Sequence, residues 1–138
     1  MTNPAEFHDD IIYPNTIAFV IVHLVPFAAI WTGVTTTSVI LAITLYLVRM
    51  FAITAGYHRY FSHKSFKTSR VGQFLFGVLG ASAVQRGPIW WAAHHRDHHQ
   101  YSDKKEDAHS PIQHGFLRAH MSWFLSKKGF APDFSSPR

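Results

Sequence analysis

The sequence predicts an all-α membrane protein, and three observations support this prediction. Of the 138 residues, 47% are hydrophobic and only 15% are charged, whereas a typical soluble domain has about 25% charged residues. Two apolar stretches, residues 11–31 and 34–53, each reach the roughly 20 residues that a helix needs to cross a bilayer. All 13 Lys and Arg lie at or after Arg49. We therefore expect an N-terminal tail over residues 1–10 and a transmembrane helical hairpin over residues 11–55.

The composition excludes several classes of protein. A disordered chain has few hydrophobic and many charged residues, which is the opposite of this balance. The chain contains no Cys, which excludes disulfides, thiolate metal sites and a cysteine nucleophile. The basic residues are scattered singly instead of forming runs, so the sequence predicts no nucleic-acid partner. Eleven His residues are the unusual feature that a functional interpretation has to explain.

The charges around the two apolar stretches predict their orientation. Pro26 lies inside the first stretch, and a membrane helix tolerates proline. The link near Gly33 is short and uncharged, so the chain returns to its starting side. Basic residues lie near the end of the second stretch and after it, which makes that side cytoplasmic by the positive-inside rule; they are Arg49, Arg59, Lys64, Lys67 and Arg70. Two buried helices of a soluble core are the alternative interpretation.

Residues 56–138 are predicted to form a cytoplasmic helical region. Residues 71–84 are apolar but too short to cross a bilayer, so we expect a helix that lies in or against the membrane interface or packs on the cytoplasmic face. The segment Gln85–Pro88 should end it. A polar helix is expected from His94 onward, and one further amphipathic helix from His114 to Lys128.

Histidines cluster at two places in this region. His58 and His63 are five residues apart, which is about 140° on an ideal α-helix. They would not share one small ion unless the helix ends there or two ions bind, and taken alone the pattern is better explained by two surface histidines. On a helix, His95, His98 and His99 lie on one face within about 100°, where they could share a cation. His94 lies about 40° from His98, so the geometry leaves its role open.

The number of histidines bears on the kind of metal. Neutral imidazole binds Zn, Cu, Fe and Ni. A structural Zn site takes four ligands and usually includes Cys, whereas this chain offers five or more His and no Cys. These histidines offer more nitrogen ligands than one tetrahedral ion can bind, which favours a site with two metal ions. A metal site beside an apolar surface should take a lipid-like substrate. Attack on an unactivated C–H bond of such a substrate needs an oxidant made from dioxygen, which iron supplies.

Two motifs resemble a known family. Residues 53–66, ITAGYHRYFSHKSF, resemble the first histidine box of the membrane fatty acid desaturases, and within them the acyl-CoA (stearoyl-type, delta-nine) branch. Residues 85–99, QRGPIWWAAHHRDHH, resemble the second box with the Gln, Gly-Pro and Trp expected before it. The resemblance covers about residues 45–130.

The resemblance implies a non-haem di-iron enzyme that introduces a cis double bond into an acyl chain with dioxygen and two electrons. The substrate would be an acyl-CoA or acyl-lipid, and the electron donor a protein such as cytochrome b5 or a ferredoxin. Gln85 and Trp91 fall where the family lines the acyl or coenzyme path. Asp107 and His109 are candidates for orienting the ligating imidazoles. The iron ligands carried over from the family motifs are His58, His63, His95, His98 and His99.

The family pattern also contains a third box, H-x-x-H-H, and an Asn-x-x-x-His pair beyond a second transmembrane hairpin. Neither occurs in these 138 residues, so about half of the ligands of that pattern are missing. We therefore expect the N-terminal portion of an incomplete four-helix desaturase architecture, unable to desaturate alone. The alternatives are a related di-iron membrane hydroxylase or alkane oxygenase, and a non-catalytic histidine-rich membrane protein that binds or moves Zn, Ni or Cu.

Overall fold

The computed structural model describes residues 11–130, and its regular structure there is helical, with one isolated bridge between Ile11 and Ser126. These residues fall into two compact units, residues 11–33 with 100–130, and residues 34–99. The predicted all-α class is confirmed for this part of the chain. The predicted tail, residues 1–10, and residues 131–138 lie outside the described residues.

The first apolar stretch forms one helix from Tyr13 to Thr32. It comprises α1 (Tyr13–Leu24), a 3₁₀ turn (Val25–Ala28) and α2 (Ala29–Thr32). The tighter turn contains Pro26, which lacks the N–H that an α-helical hydrogen bond needs. Gly33, with φ of 74°, ends the helix in a conformation that favours glycine.

The second apolar stretch forms a longer helix from Thr36 to Ser62. Its first part, α3 (Thr36–Phe51), begins with a capping box in which Thr35 and Ser38 each accept a hydrogen bond from the other's backbone N–H. It then continues as a π-helix (Ala52–Ser62). No residue of α3 is buried, although the helix is strongly apolar. Both stretches are thus long and apolar enough to cross a membrane, as predicted; their pairing as a hairpin stays a prediction.

Two further helices complete the unit formed by residues 34–99. Helix α4 (Arg70–Ala81) starts where Ser69 accepts a hydrogen bond from the N–H of Gly72, close to the predicted start at residue 71. A turn at residues 82–87 separates it from α5 (Pro88–Tyr101), which begins at a proline, a residue well suited to a first helical turn.

Aromatic rings facing glycines pack the π-helix against α4. Tyr57 is fully buried, and a methyl group added at Gly80 would overlap the Cε1 atom of its ring. Reciprocally, a methyl group at Gly56 would lie 2.8 Å from Cδ1 of Phe76. The Tyr57 hydroxyl lies 3.0 Å from the carbonyl oxygen of Arg86, to which it donates a hydrogen bond. Tyr57 therefore fixes the residues just before His58 against the rest of the unit.

The chain after α5 is broken into short pieces. The helix predicted from His114 to Lys128 is found over residues 116–125 only, as consecutive α, π and 3₁₀ turns, because Gly115, with φ of 79°, and the extended Ser126 interrupt the helical backbone at its two ends. Leu125 then accepts a hydrogen bond of 2.8 Å from the N–H of Ile12 beside the start of α1. The pieces are α6 (Pro111–His114), a π-helical turn (Arg118–Ser122), a 3₁₀ turn (Trp123–Leu125) and α7 (Lys127–Phe130).

Candidate metal centre

The π-helix places the two histidines of the first box together. The N–H of His63 donates to the carbonyl oxygen of His58 at 3.1 Å, a backbone bond from residue i+5 to residue i. This repeat stacks residues five apart on one face, whereas an α-helix would separate them. The Nε2 atoms of His58 and His63 are accordingly 3.1 Å apart. The expectation that these residues diverge by about 140° assumed α-helical geometry and is wrong here.

Helix α5 supplies two further imidazoles. His95 and His99 are one helical turn apart, a spacing at which side chains meet, and their Nε2 atoms are 3.0 Å apart. The Nε2 of His63 lies 3.1 Å from the Nε2 of His95. Two sequence motifs more than thirty residues apart thus converge in one four-histidine group, made of His58, His63, His95 and His99.

Hydrogen bonding within the protein does not explain this arrangement. Each ring nitrogen offers one site in the ring plane, either an N–H or a lone pair. The Nε2 of His63 has two close Nε2 neighbours, and so does the Nε2 of His95. Three hydrogen bonds cannot be formed along this row of four nitrogens. A single cation, by contrast, can accept a lone pair from all four.

The distances fit metal coordination. Imidazole nitrogens bind Zn²⁺ at about 2.1 Å, which places neighbouring ligand atoms about 3.0 to 3.4 Å apart in octahedral or tetrahedral sites. The measured separations of 3.0 and 3.1 Å lie in this range. His58 and His95 are half-buried whereas His63 and His99 are exposed, so the group is reachable from solvent on one side.

Electrostatic effects keep His95, which lies in the middle of the group, neutral. Partial burial first, and then repulsion from the neighbouring histidines, lowers the pKa of His95 from its ordinary 6.5 to about 3. The ring is therefore uncharged at physiological pH, and the Nε2 lone pair is available to a metal ion.

Trp91 and Gln85 lie beside this group. The Trp91 ring stacks on His95 with centroids 4.8 Å apart and an angle of 25° between the planes. Its Nε1–H donates to the Oε1 of Gln85 at 3.1 Å. His94 instead packs its ring against Trp90, 4.1 Å away between centroids. A role of Gln85 and Trp91 in substrate binding stays a prediction.

The remaining candidates lie outside the four-histidine group. His98 has its ring centroid 5.8 Å from that of His99, and its assignment as a ligand stays a prediction. Asp107 accepts hydrogen bonds from the N–H of Asp103 and from the N–H of His109. The His109 Nδ1 also lies 2.7 Å from a carboxylate oxygen of Asp107. The orientation of a ligating imidazole by this pair likewise stays a prediction.

Replacement of Asp107 should destabilise its loop, because these contacts hold the loop together. The carboxylate is 2% exposed, and charge-assisted hydrogen bonds of this kind are worth about 1.5 to 3 kcal/mol. We expect Asp107→Asn to lower the free energy of unfolding by about 1 to 3 kcal/mol and to speed proteolysis within residues 103–114. Glu106→Gln changes an exposed neighbour and should leave both unchanged. Equal effects of the two variants would contradict this assignment.

Sequence reasoning did not single out Tyr57. A tyrosine between a glycine and a histidine carries no distinctive signal by itself. Its importance follows from the three-dimensional contacts with Gly80 and with the backbone oxygens of Gly77 and Arg86.

Comparison with known proteins points to a class, the fatty acyl desaturases. No family model and no solved structure matches the chain, but curated proteins do. The chain is 42% identical over 103 residues to a palmitoyl-monogalactosyldiacylglycerol delta-7 desaturase of Arabidopsis thaliana, covering 74% of this chain and 26% of the relative. It is 34% identical over 122 residues to an acyl-CoA Delta(11) desaturase of Spodoptera littoralis, covering 86% and 36%. A Delta(9)-fatty-acid desaturase of Caenorhabditis elegans is 41% identical over 91 residues, covering 66% and 26%.

The similarity supports the desaturase resemblance but does not single out its delta-nine branch, because relatives named for positions 5, 7 and 11 match as well. The chain spans about a quarter to a third of the length of these relatives. Together with the two exposed apolar helices, these relatives indicate a membrane protein.

Proposed function

We propose that this chain is part of a membrane-bound fatty acyl desaturase and that its histidine boxes hold iron on the cytoplasmic side of the membrane. The convergence of four Nε2 atoms from two separate boxes is the observation that carries the proposal. Similarity to desaturases that differ in substrate and in double-bond position supports the reaction class and leaves the acyl carrier, CoA or lipid, open.

The proposed reaction removes two hydrogens from adjacent –CH₂– groups to give a cis double bond. One dioxygen, two electrons and two protons are consumed, and two waters are formed. Iron, when bound, supplies the reactivity toward dioxygen that attack on an unactivated C–H bond requires. Electrons would come from a donor such as cytochrome b5 or a ferredoxin.

The side chains of the site have distinct parts in this proposal. The four imidazoles hold the metal as neutral nitrogen ligands, and the low pKa of His95 keeps that ligand competent. Trp91 covers one face of the His95 ring, which restricts the orientation of the ligand and shields it from water. Trp91 with Gln85 also offers an apolar surface and an amide beside the metal, where an acyl chain could lie.

The proposed centre contains two irons, and one four-histidine group cannot saturate both. His98 would contribute to the second iron, which needs ligands beyond the histidines of these two boxes. We therefore infer that the 138 residues by themselves bind metal but do not desaturate. The two abilities can be measured separately.

The test is the metal content and lipid product of the full chain. The chain is purified from cells grown with both iron and zinc, and bound metal is quantified by mass spectrometry. Because the two boxes form one four-histidine group, we expect about one tightly held iron per chain and no new double bond in the cell lipids by gas chromatography. Stoichiometric zinc without iron would contradict the iron assignment and favour a non-catalytic metal-binding protein. A new double bond would contradict the inferred inactivity.

A further inference from the structure

A pocket of about 480 Å³ lies in residues 34–99, between the end of the π-helix and the start of α4. Its volume falls within the range of small-molecule sites, and none of its lining residues belongs to the four-histidine group. The lining combines aromatic rings with donor groups, contributed by Tyr60, Phe61, Lys64, Phe66, Lys67, Thr68 and Gln73.

The wall of this pocket is held in place by the fold. Both the N–H and the hydroxyl of Ser65 donate to the carbonyl oxygen of Arg59, each at 3.0 Å. Phe66 packs its ring against Tyr60 and Phe76, with centroids 5.5 and 6.1 Å apart. The loop that carries the lysines is therefore held at Ser65 and Phe66, between Lys64 and Lys67, and these contacts fix the wall of the pocket.

The charged and amide groups of the pocket select for an anion. Lys64 and Lys67 offer ammonium groups, and the sequence contains no acidic residue from Ile11 to Arg96. The guanidinium of Arg70 donates to the Oε1 of Gln73 at 3.0 Å, which leaves the amide N–H₂ of Gln73 as a further donor. A ligand with a phosphate group would meet donors without a competing carboxylate.

The position of the pocket in the chain points to a lipid. Tyr60 and Phe61 lie at the end of the apolar helix Thr36–Ser62. They belong to its π-helical part, which follows α3, the part without buried residues. In a membrane-spanning helix this is the level of the headgroups, where aromatic rings and basic residues concentrate. We propose that the pocket binds the phosphate headgroup of an anionic phospholipid, with the lysines at the phosphate and the rings against its glycerol and upper acyl chain.

This proposal requires membrane insertion but not metal binding. The test uses the full chain purified in detergent and incubated with an equal mixture of phosphatidylglycerol and phosphatidylcholine, and native mass spectrometry counts the lipids retained. We expect the unmodified chain to enrich phosphatidylglycerol. The Lys64→Gln, Lys67→Gln double variant should lose this enrichment by on the order of 30-fold, since each of the two lysines near a headgroup contributes about 1 kcal/mol.

Matched variants and competitors decide the outcome. Lys104→Gln, Lys105→Gln removes two exposed lysines outside the pocket and should retain the enrichment, as should Lys64→Arg, Lys67→Arg. Loss in the Lys104/Lys105 variant as well would overturn the pocket as the site. Displacement of phosphatidylglycerol by millimolar glycerol 3-phosphate or coenzyme A would overturn the lipid as the source of the phosphate. Metal content measured on the same samples should be unchanged, which separates this result from the iron proposal.

Discussion

Replacing His95 by alanine is expected to lower the metal affinity of the chain by more than about 100-fold, whereas replacing His94 should leave it within about twofold. Even partners that only orient a ligand cost about 10- to 100-fold when they are lost, and His95 is the proposed ligand at the centre of the group. Its Nε2 lies 3.1 Å from that of His63 and 3.0 Å from that of His99. His94 packs its ring against Trp90 at a tilted angle and is absent from the group.

The measurement is a titration of the purified chain with Co²⁺, whose absorption reports coordination, beside anaerobic iron loading. His94→Ala is the matched control because it removes an imidazole from the same helix at the adjacent position. Equal losses in the two variants would show that the second box is assigned to the wrong histidines. In a complete enzyme we expect His95→Ala to be inactive and His94→Ala to retain substantial activity. Both variants should still insert into the membrane.

The sequence predicted those parts of the structure that depend on composition and on α-helical periodicity. The two apolar helices follow from long runs without charge, and the approach of His95 to His99 follows from their spacing of four residues. The end of the first helix agrees as well with the predicted link near Gly33, which follows its last residue.

The first box could not be predicted in this way. Periodicity arguments assume about 3.6 residues per turn. The spacing of His58 and His63 does not by itself indicate the i+5 to i hydrogen bonds of a π-helix. Likewise the helix predicted to start at His114 starts only after Gly115, whose positive φ a hydrophobic pattern does not reveal. A glycine inside a helical pattern is a weak signal on its own.

The meeting of the two boxes depends on packing between helices, and Gly80 is the residue on α4 where that packing is closest. A methyl group there would overlap Cε1 of Tyr57 and lie 2.6 Å from its Cζ. The buried ring has no room to move aside, since it also packs edge-on against Phe61 and Trp91. We expect Gly80→Ala to destabilise the chain by about 1 to 3 kcal/mol, the usual effect of overpacking a filled core.

Gly77, on the same helix, provides the control. A methyl group at this position would meet nothing within 4 Å, and alanine is favoured over glycine in a helix interior by about 0.5 to 1 kcal/mol. Gly77→Ala should therefore leave stability unchanged or raise it. Thermal unfolding in detergent measures both variants, and loss of stability in both would contradict the packing argument.

Metal affinity provides a second measurement on the same two variants. Tyr57 immediately precedes His58, so a displaced Tyr57 ring shifts the π-helix that aligns His58 with His63. Gly80→Ala should weaken Co²⁺ binding in the fraction that remains folded, although residue 80 is not a ligand. Gly77→Ala should bind the ion as the unmodified chain does. If Gly80→Ala is destabilised yet binds Co²⁺ normally, the glycine serves packing alone and the alignment of the first box has another cause.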